Sequence, residues 1–313
     1  MTRVAAVDCG TNSIRLLVTD LDSASGRQDD VDRRMRIVRL GEGVDATGRL
    51  SDAALARTFA AVEEYAALVR DLGAEAVRFV ATSASRDASN ASVFVDGVRE
   101  RLGVEPEVAT GAAEARLSFV GAVRELVGTV AGPYCVVDIG GGSTEVVVGS
   151  GDLAAPLQGR SVDVGCVRLT ERHLRSDPPT PEEVAAARAD VEAALDVVER
   201  DVDLTGVRCL VGLAGSVTTV TAEALGLATY DSDRIHGAEL TVDDLVGAGR
   251  RLLHADRATR AARGFMHPGR VDVIGAGALV WEAVLERVRA RSGVVTARAS
   301  EHDILDGIAW SCV

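Results

Sequence analysis

The chain has 313 residues, 47% of them hydrophobic, enough length and apolar content for two buried cores rather than one. A formal net charge of −13 argues against a nucleic-acid-binding protein. No residue is lysine, so all 34 basic residues are arginine, which excludes a phosphate-loop lysine, a Schiff-base lysine and a lysine general base.

The N-terminal residues enter a strand directly, without a basic segment and long apolar core, and no apolar run is long enough to span a bilayer. The five cysteines are scattered with no Cys-x-x-Cys pair, as expected of reduced thiols in a cytoplasmic protein without a membrane partner.

In chain order, Val4–Val7 and Ile14–Val18 are apolar runs around the turn Asp8-Cys9-Gly10-Thr11-Asn12-Ser13, and a third strand is expected over 36–40. Ser51 is the expected N-cap of a helix whose apolar face runs through Leu55, Phe59, Val62, Ala66 and Val69, with Gly73 at its end. The strand 76–81 delivers Thr82-Ser83-Ala84-Ser85-Arg86-Asp87 to its C-terminal end. A helix over 92–101 and a short strand over 104–108 follow, and Gly111 opens a helix over 112–127 with Glu114 in its first turn.

Residues 128–133 read as the break between domains, predicting a first domain over 1–127, a second over 128–300 and a closing helical segment, 301–313, that packs back on the first. The second half repeats the plan: strand 134–139, turn Asp138-Ile139-Gly140-Gly141-Gly142-Ser143-Thr144-Glu145, strand 145–148 and a strand over 161–164. A helix over 182–200 follows a proline-rich cap, and a buried strand over 208–213 runs into Ala214-Gly215-Ser216 at the start of a helix. Helices over 242–253 and 271–291, a strand over 294–297 and a helix over 303–310 complete the chain.

The two turns are versions of one device, because Asp8 and Asp138, Gly10 and Gly140, Ser13 and Ser143, and Val18 and Val148 stand at one constant offset. A carboxylate at a strand end, a glycine or hydroxyl turn and a return strand make a hairpin that presents backbone N–H groups to phosphate oxygens. Thr11, Asn12, Ser13, Gly140, Gly141, Gly142, Ser143 and Thr144 are therefore candidate phosphate contacts. Asp8, Asp138 and Glu145 are candidate oxygen ligands for Mg2+ or another hard divalent cation.

Arg15 offers either a planar fork for phosphate or a solvated strand residue. Arg86 is a phosphate contact or a loop partner for Asp87, and Gly215-Ser216 an anion site or a helix cap. Glu114 is the candidate general base, set against the ordinary role of an acid in a helix's first turn. Arg270 is a weaker candidate, Cys166 is expected to be buried and inert, and the five histidines show no metal-ligand spacing.

The mixed order of strands and helices, with a hairpin heading each half, suits a duplicated ribonuclease-H-like or actin-like α/β architecture rather than a Rossmann fold. Taken together, Ala5–Ser13, Ala81–Asn90, Gly111–Leu117, Val137–Glu145, Gly165–Arg168, Ile235–Gly237 and Arg270–Ile274 resemble the exopolyphosphatase/guanosine pentaphosphate phosphatase family in its short two-domain form. That family lies within the sugar kinase–heat-shock–actin superfamily. The resemblance implies two actin-like domains around a cleft and Mg2+-dependent removal of the terminal phosphate of inorganic polyphosphate. It places the catalytic glutamate at Glu114, acidic loop residues at Asp138 and Glu145, and a phosphate-contacting arginine at Arg86.

Two departures are visible: Ala113-Glu114 stands where many members have two glutamates, and Thr11 replaces a commoner serine. Guanosine penta- or tetraphosphate is the alternative substrate or an inhibitor. An ATP-dependent kinase and a non-enzymatic actin-like scaffold are the remaining readings. A homodimer is among the expected states, although no sequence signal fixes it.

Overall fold

The computed structural model describes all residues, Met1–Val313. The chain folds as two units, Met1–Gly121 with Ile304–Val313, and Ala122–Asp303. The first crossing thus falls six residues before the expected boundary at 127, and the second three residues after 300.

In the first unit, β1 (Thr2–Cys9), β2 (Ser13–Asp22), β3 (Arg27–Ile37), β4 (Ala76–Ala81) and β5 (Glu107–Val108) form one sheet in the order β3-β2-β1-β4-β5. The β1, β2 and β3 strands are an antiparallel meander, while β4 pairs parallel to β1 and β5 parallel to β4. Its helices are α1 (Val44–Thr47), α2 (Asp52–Asp71), α3 (Ser83–Asp87), α4 (Ala91–Leu102) and α5 (Gly111–Val123).

Period-two alternation sorts β1 between two cores. Ala5, Val7 and Cys9 pack with Leu55, Val62 and Tyr65 of α2 and Phe94 and Val98 of α4. Val4 and Ala6 pack on the other face with Leu117 of α5. Ser51 caps α2 as expected, its hydroxyl accepting from the Ala54 N–H at 3.2 Å.

The second unit holds β6 (Tyr134–Ile139), β7 (Thr144–Gly149), β8 (Gln158–Val162), α6 (Cys166–Arg172), α7 (Pro181–Val198), β9 (Cys209–Leu213) and α8 (Ala214–Ala224). It continues through α9 (Ser232–Ile235), β10 (Glu239–Thr241), α10 (Val242–His254), α11 (Arg257–Ala261), α12 (Ile274–Ser292) and β11 (Thr296–Ala299). The helix expected from residue 271 begins at Ile274, behind a 3-10 turn over Pro268–Arg270.

The sheet order, β8-β7-β6-β9-β11-β10, repeats that of the first unit with one strand added. Its core gathers around α12, whose Trp281 is 1% exposed. One charge is buried on the same helix: Glu282 accepts from Arg188 at 2.5 Å and Arg250 at 2.8 Å, the pairing that makes a buried carboxylate tolerable. Thr180 and Glu183 form a capping box ahead of α7.

The last helix, α13 (Ile304–Trp310), belongs to the first unit, where Ile304, Leu305, Ile308 and Ala309 cover the face of β1 and β2 that carries Val4, Ala6 and Leu17. Two mixed sheets with the same hairpin-plus-parallel-strand order make this an α/β protein of the actin-like, duplicated ribonuclease-H-like kind. No helix is long and apolar enough to cross a membrane.

Candidate functional site

The candidate residues of each unit gather at one edge of its sheet, the edge to which the parallel strands point their C-terminal ends. In the first unit β1 delivers Asp8, β4 delivers Thr82–Arg86, and β5 leads into Ala109-Thr110 and α5. In the second unit β6 delivers the glycine turn and β9 delivers Ala214-Gly215-Ser216.

The two turns close identically. Gly10 N–H donates to Ser13 O at 2.9 Å, and Gly140 N–H to Ser143 O at 3.0 Å. Each turn's carbonyls are then taken by the segment behind it. Thr11 O accepts from Gly41 N–H, and Asn12 O from Val38 and Arg39 N–H groups. Gly140 O accepts from Cys166 N–H at 3.0 Å, and Gly141 O from Val167 at 2.9 Å and Arg168 at 3.1 Å, all in the first turn of α6.

A trans peptide points its C=O and N–H to opposite sides. Carbonyls drawn toward α6 therefore turn the N–H groups of Gly141 and Gly142 away from it. None of Gly140, Gly141 and Gly142 has a positive φ. What the turn needs instead is close approach: a Cβ on Gly165 would lie 2.5 Å from Gly141 O.

The hairpins differ at the pair behind the turn. Asp8 and Arg15 are direct cross-strand partners, and Arg15 donates to Asp8 Oδ2 through Nη2 at 2.7 Å and Nε at 3.0 Å. The expected cation ligand and the expected phosphate fork thus meet in one ion pair. At the corresponding register of the second hairpin stand two acids, Asp138 and Glu145, 7% and 1% exposed. Ser161 Oγ donates to Glu145 Oε1 at 2.6 Å. Like charges directly opposite in a ladder repel, and a pair of hard carboxylates out of water is the donor chemistry of a Mg2+-class cation.

Glu114 and Arg86, 28 positions apart, form a second ion pair: Arg86 Nη1 donates to Glu114 Oε2 at 3.1 Å and to Ala109 O at 3.0 Å. Glu114 is 7% exposed. Thr110 Oγ1 accepts from Ala113 N–H at 3.2 Å, fixing the first turn of α5 that carries the carboxylate. Thr11 and Ser83 hydroxyls bond at 2.8 Å, joining the first turn to α3. Two buried side-chain atoms here, Asn12 Oδ1 and Ser85 Oγ, have no hydrogen-bond partner, the condition of polar groups left for a ligand or water. Nothing in the residue type marks Ser85 as a buried polar group, since a serine between Ala84 and Arg86 carries no signal of burial.

In the second unit Arg270 lies across Gly215, where a Cβ would come within 2.3 Å of the guanidinium carbon, and its Nη1 reaches Thr219 Oγ1 at 3.4 Å. Ser216 sits beside Cys166, whose thiol is pushed up by burial, as an inert core cysteine requires. Ala214, which opens α8, holds φ +64°.

A duplicated actin-like α/β protein with two phosphate-type hairpins, a buried acid pair and an arginine-held glutamate defines a class of phosphate-handling proteins. Residues 19–311 match the Ppx/GppA phosphatase family, and the chain belongs to it. It is 51% identical to exopolyphosphatase 2 of Mycobacterium tuberculosis, the match covering 99% of this chain and 98% of that one. It is 32% identical to a guanosine-5'-triphosphate,3'-diphosphate pyrophosphatase of Photobacterium profundum over 68% of this chain and 42% of that one. Among solved structures, the Aquifex aeolicus Ppx/GppA enzyme superposes with a TM-score of 0.80 at 32% identity, covering 99% of each chain.

Proposed function

We propose that the chain is an exopolyphosphatase that hydrolyses the terminal phosphate of inorganic polyphosphate, using water as the acceptor. The observation that carries this reading is the 51% identity to an exopolyphosphatase along essentially the whole of both chains. The site supplies a mechanism. Phosphoryl transfer to water needs positioning and charge neutralisation more than covalent chemistry, so the lack of an activated nucleophilic side chain is no obstacle.

The N–H groups of Gly141 and Gly142 and of their counterparts Thr11 and Asn12 hold phosphate oxygens, since those of Gly10 and Gly140 are already taken by Ser13 and Ser143. Arg86 contributes guanidinium N–H groups to phosphate while its Nη1 fixes the Glu114 carboxylate. Glu114 orients the attacking water and accepts its proton. Asp138 and Glu145 are the residues that would hold Mg2+, which when bound offsets the negative charge of the phosphate chain. The Asp8 carboxylate, neutralised by Arg15, serves to set the first turn. Four of the five cysteines are buried and all are unpaired, which fits a reducing cytoplasmic setting.

Glu114→Gln is expected to fold normally and to lose about 10²–10⁴-fold in phosphate release, the cost of a general base. Release near the wild-type rate would remove Glu114 from this role. Guanosine pentaphosphate is the second reading, favoured by the pyrophosphatase relative. Side-by-side release assays on polyphosphates of several lengths and on the nucleotide, with and without Mg2+, separate the two.

A further inference from the structure

Glu125, His236 and His302 come together in the second unit, and none of the three carries a role in the phosphate site proposed above. Glu125 Oε2 lies 3.1 Å from His236 Nε2, and Glu125 Oε1 lies 3.2 Å from His302 Nδ1. The imidazole rings are 4.8 Å apart at their centroids. One ligand atom from each residue falls within 4.8 Å of the others. Glu125 and His236 are 111 positions apart, so no spacing in the sequence announces the cluster.

Two imidazoles and one carboxylate are the borderline donor set of Zn2+ rather than the all-oxygen set of Mg2+. Tetrahedral ligands at zinc distances stand about 3.3 Å apart, so small side-chain rotations suffice to close the site. All three groups are partly exposed, which leaves room for entry and for a water as fourth ligand. The carboxylate of Glu301, next in sequence to His302, is engaged by the Tyr230 hydroxyl at 2.5 Å and stands outside the three-residue group.

We propose that Glu125, His236 and His302 form a binding site for a divalent cation of the zinc class. The position gives the site a consequence. The chain crosses between the units after Gly121 and after Asp303, and Glu125 and His302 stand beside these two crossings. A bound cation ties the two connections to one another and to the C-terminal end of α9.

Binding also has a defined consequence for the His236 ring. The Glu301 N–H donates to His236 Nδ1 at 3.2 Å, so in the metal-free protein the ring proton sits on Nε2, facing Glu125. Ligation through Nε2 moves that proton to Nδ1 and releases the Glu301 N–H to water. The proton stays on the ring, and the tautomer changes.

The test uses the full chain with Cys312→Ser, because Cys312 is the one thiol that is not fully buried. ZnCl2 is titrated against this protein at neutral pH in competition with a chelator. One equivalent is expected to bind, and His302→Asn and Glu125→Gln each to weaken it by about tenfold or more. Nitrogen-15 spectra are expected to show the His236 ring switching from the Nε2–H to the Nδ1–H tautomer as zinc is added. Zinc binding unaltered by both substitutions, or an unchanged His236 tautomer at saturation, overturns the proposal.

Discussion

Ala214 holds a left-handed φ of +64° between β9 and α8, a conformation that costs a residue with a Cβ about 1–2 kcal/mol. Strain of this kind survives only where the surroundings dictate it. Here the strand must turn sharply to start α8 with Gly215 under the Arg270 guanidinium. A β-branched side chain is worse still in this region. Ala214→Val is therefore expected to lower the stability of the protein by about 1–2 kcal/mol, read as a lower urea midpoint at unchanged slope. Ala214→Gly, which relieves the strain but loosens the unfolded chain, is expected to leave the midpoint nearly where it was. A midpoint unmoved by valine would mean that the turn relaxes freely.

At the scale of elements, one hairpin built twice carries a different pair of side chains at the same register. Asp8 opposite Arg15 is self-neutralised, whereas Asp138 opposite Glu145 places two acids at the same register. The proposed cation dependence therefore belongs to the second hairpin. Glu145→Gln is expected to raise the Mg2+ concentration for half-maximal phosphate release by about tenfold, and Arg15→Gln to leave it unchanged. Equal shifts in the two variants would mean that the acid pair is not where Mg2+ is felt.

The turn itself depends on α6. Gly165→Ala sets a Cβ 2.5 Å from Gly141 O, a backbone atom that cannot rotate away. It should displace the turn and cost both activity and at least about 1 kcal/mol of stability, measured by phosphate release and thermal melting.

Much of this was legible in the residues. The constant offset between the turns predicted the duplication, and the Ser51 cap, the proline-rich stretch ahead of residue 182 and the apolar runs announced α2, α7, β4 and β6. Elements that sequence reasoning missed lack the apolar signature it follows. The β3 strand runs over Arg27–Ile37, not 36–40, because this edge strand alternates charges such as Asp30, Asp32, Arg33 and Arg34 instead of hydrophobic residues. The seven residues of α6 are too few to show a helical period. The Arg86–Glu114 pair, read as two separate candidates, is joined only by the fold.

For the whole molecule, the decisive feature is that the chain returns to its first unit for its last ten residues. The α13 helix closes the apolar face of β1 and β2, and it comes so near to α5 that a Cβ on Gly307 would lie 2.0 Å from Leu117 O. Its polar side is fixed as well. Asp306, 1% exposed, accepts from Arg33 at 2.5 Å and from Gln28 at 2.8 Å, while the Trp310 indole N–H donates to Gln28 Oε1 at 2.8 Å.

The two tryptophans divide between the units: Trp310 lies in the first and Trp281 in the second. Trp281→Phe removes an indole N–H that has no hydrogen-bond partner, so it offers a gentle way to leave Trp310 as the sole reporter. In that background Gly307→Val is expected to push α13 off α5 and to shift the Trp310 fluorescence transition to lower denaturant. The loss should be about 1–3 kcal/mol, as for overpacking a tight contact. The complementary background, Trp310→Phe, reads the second unit through Trp281 and should show a smaller shift. If Gly307→Val left the Trp310 transition in place, the last helix would not be a structural part of the first unit, and the sheet face it covers would need another explanation for its apolar character.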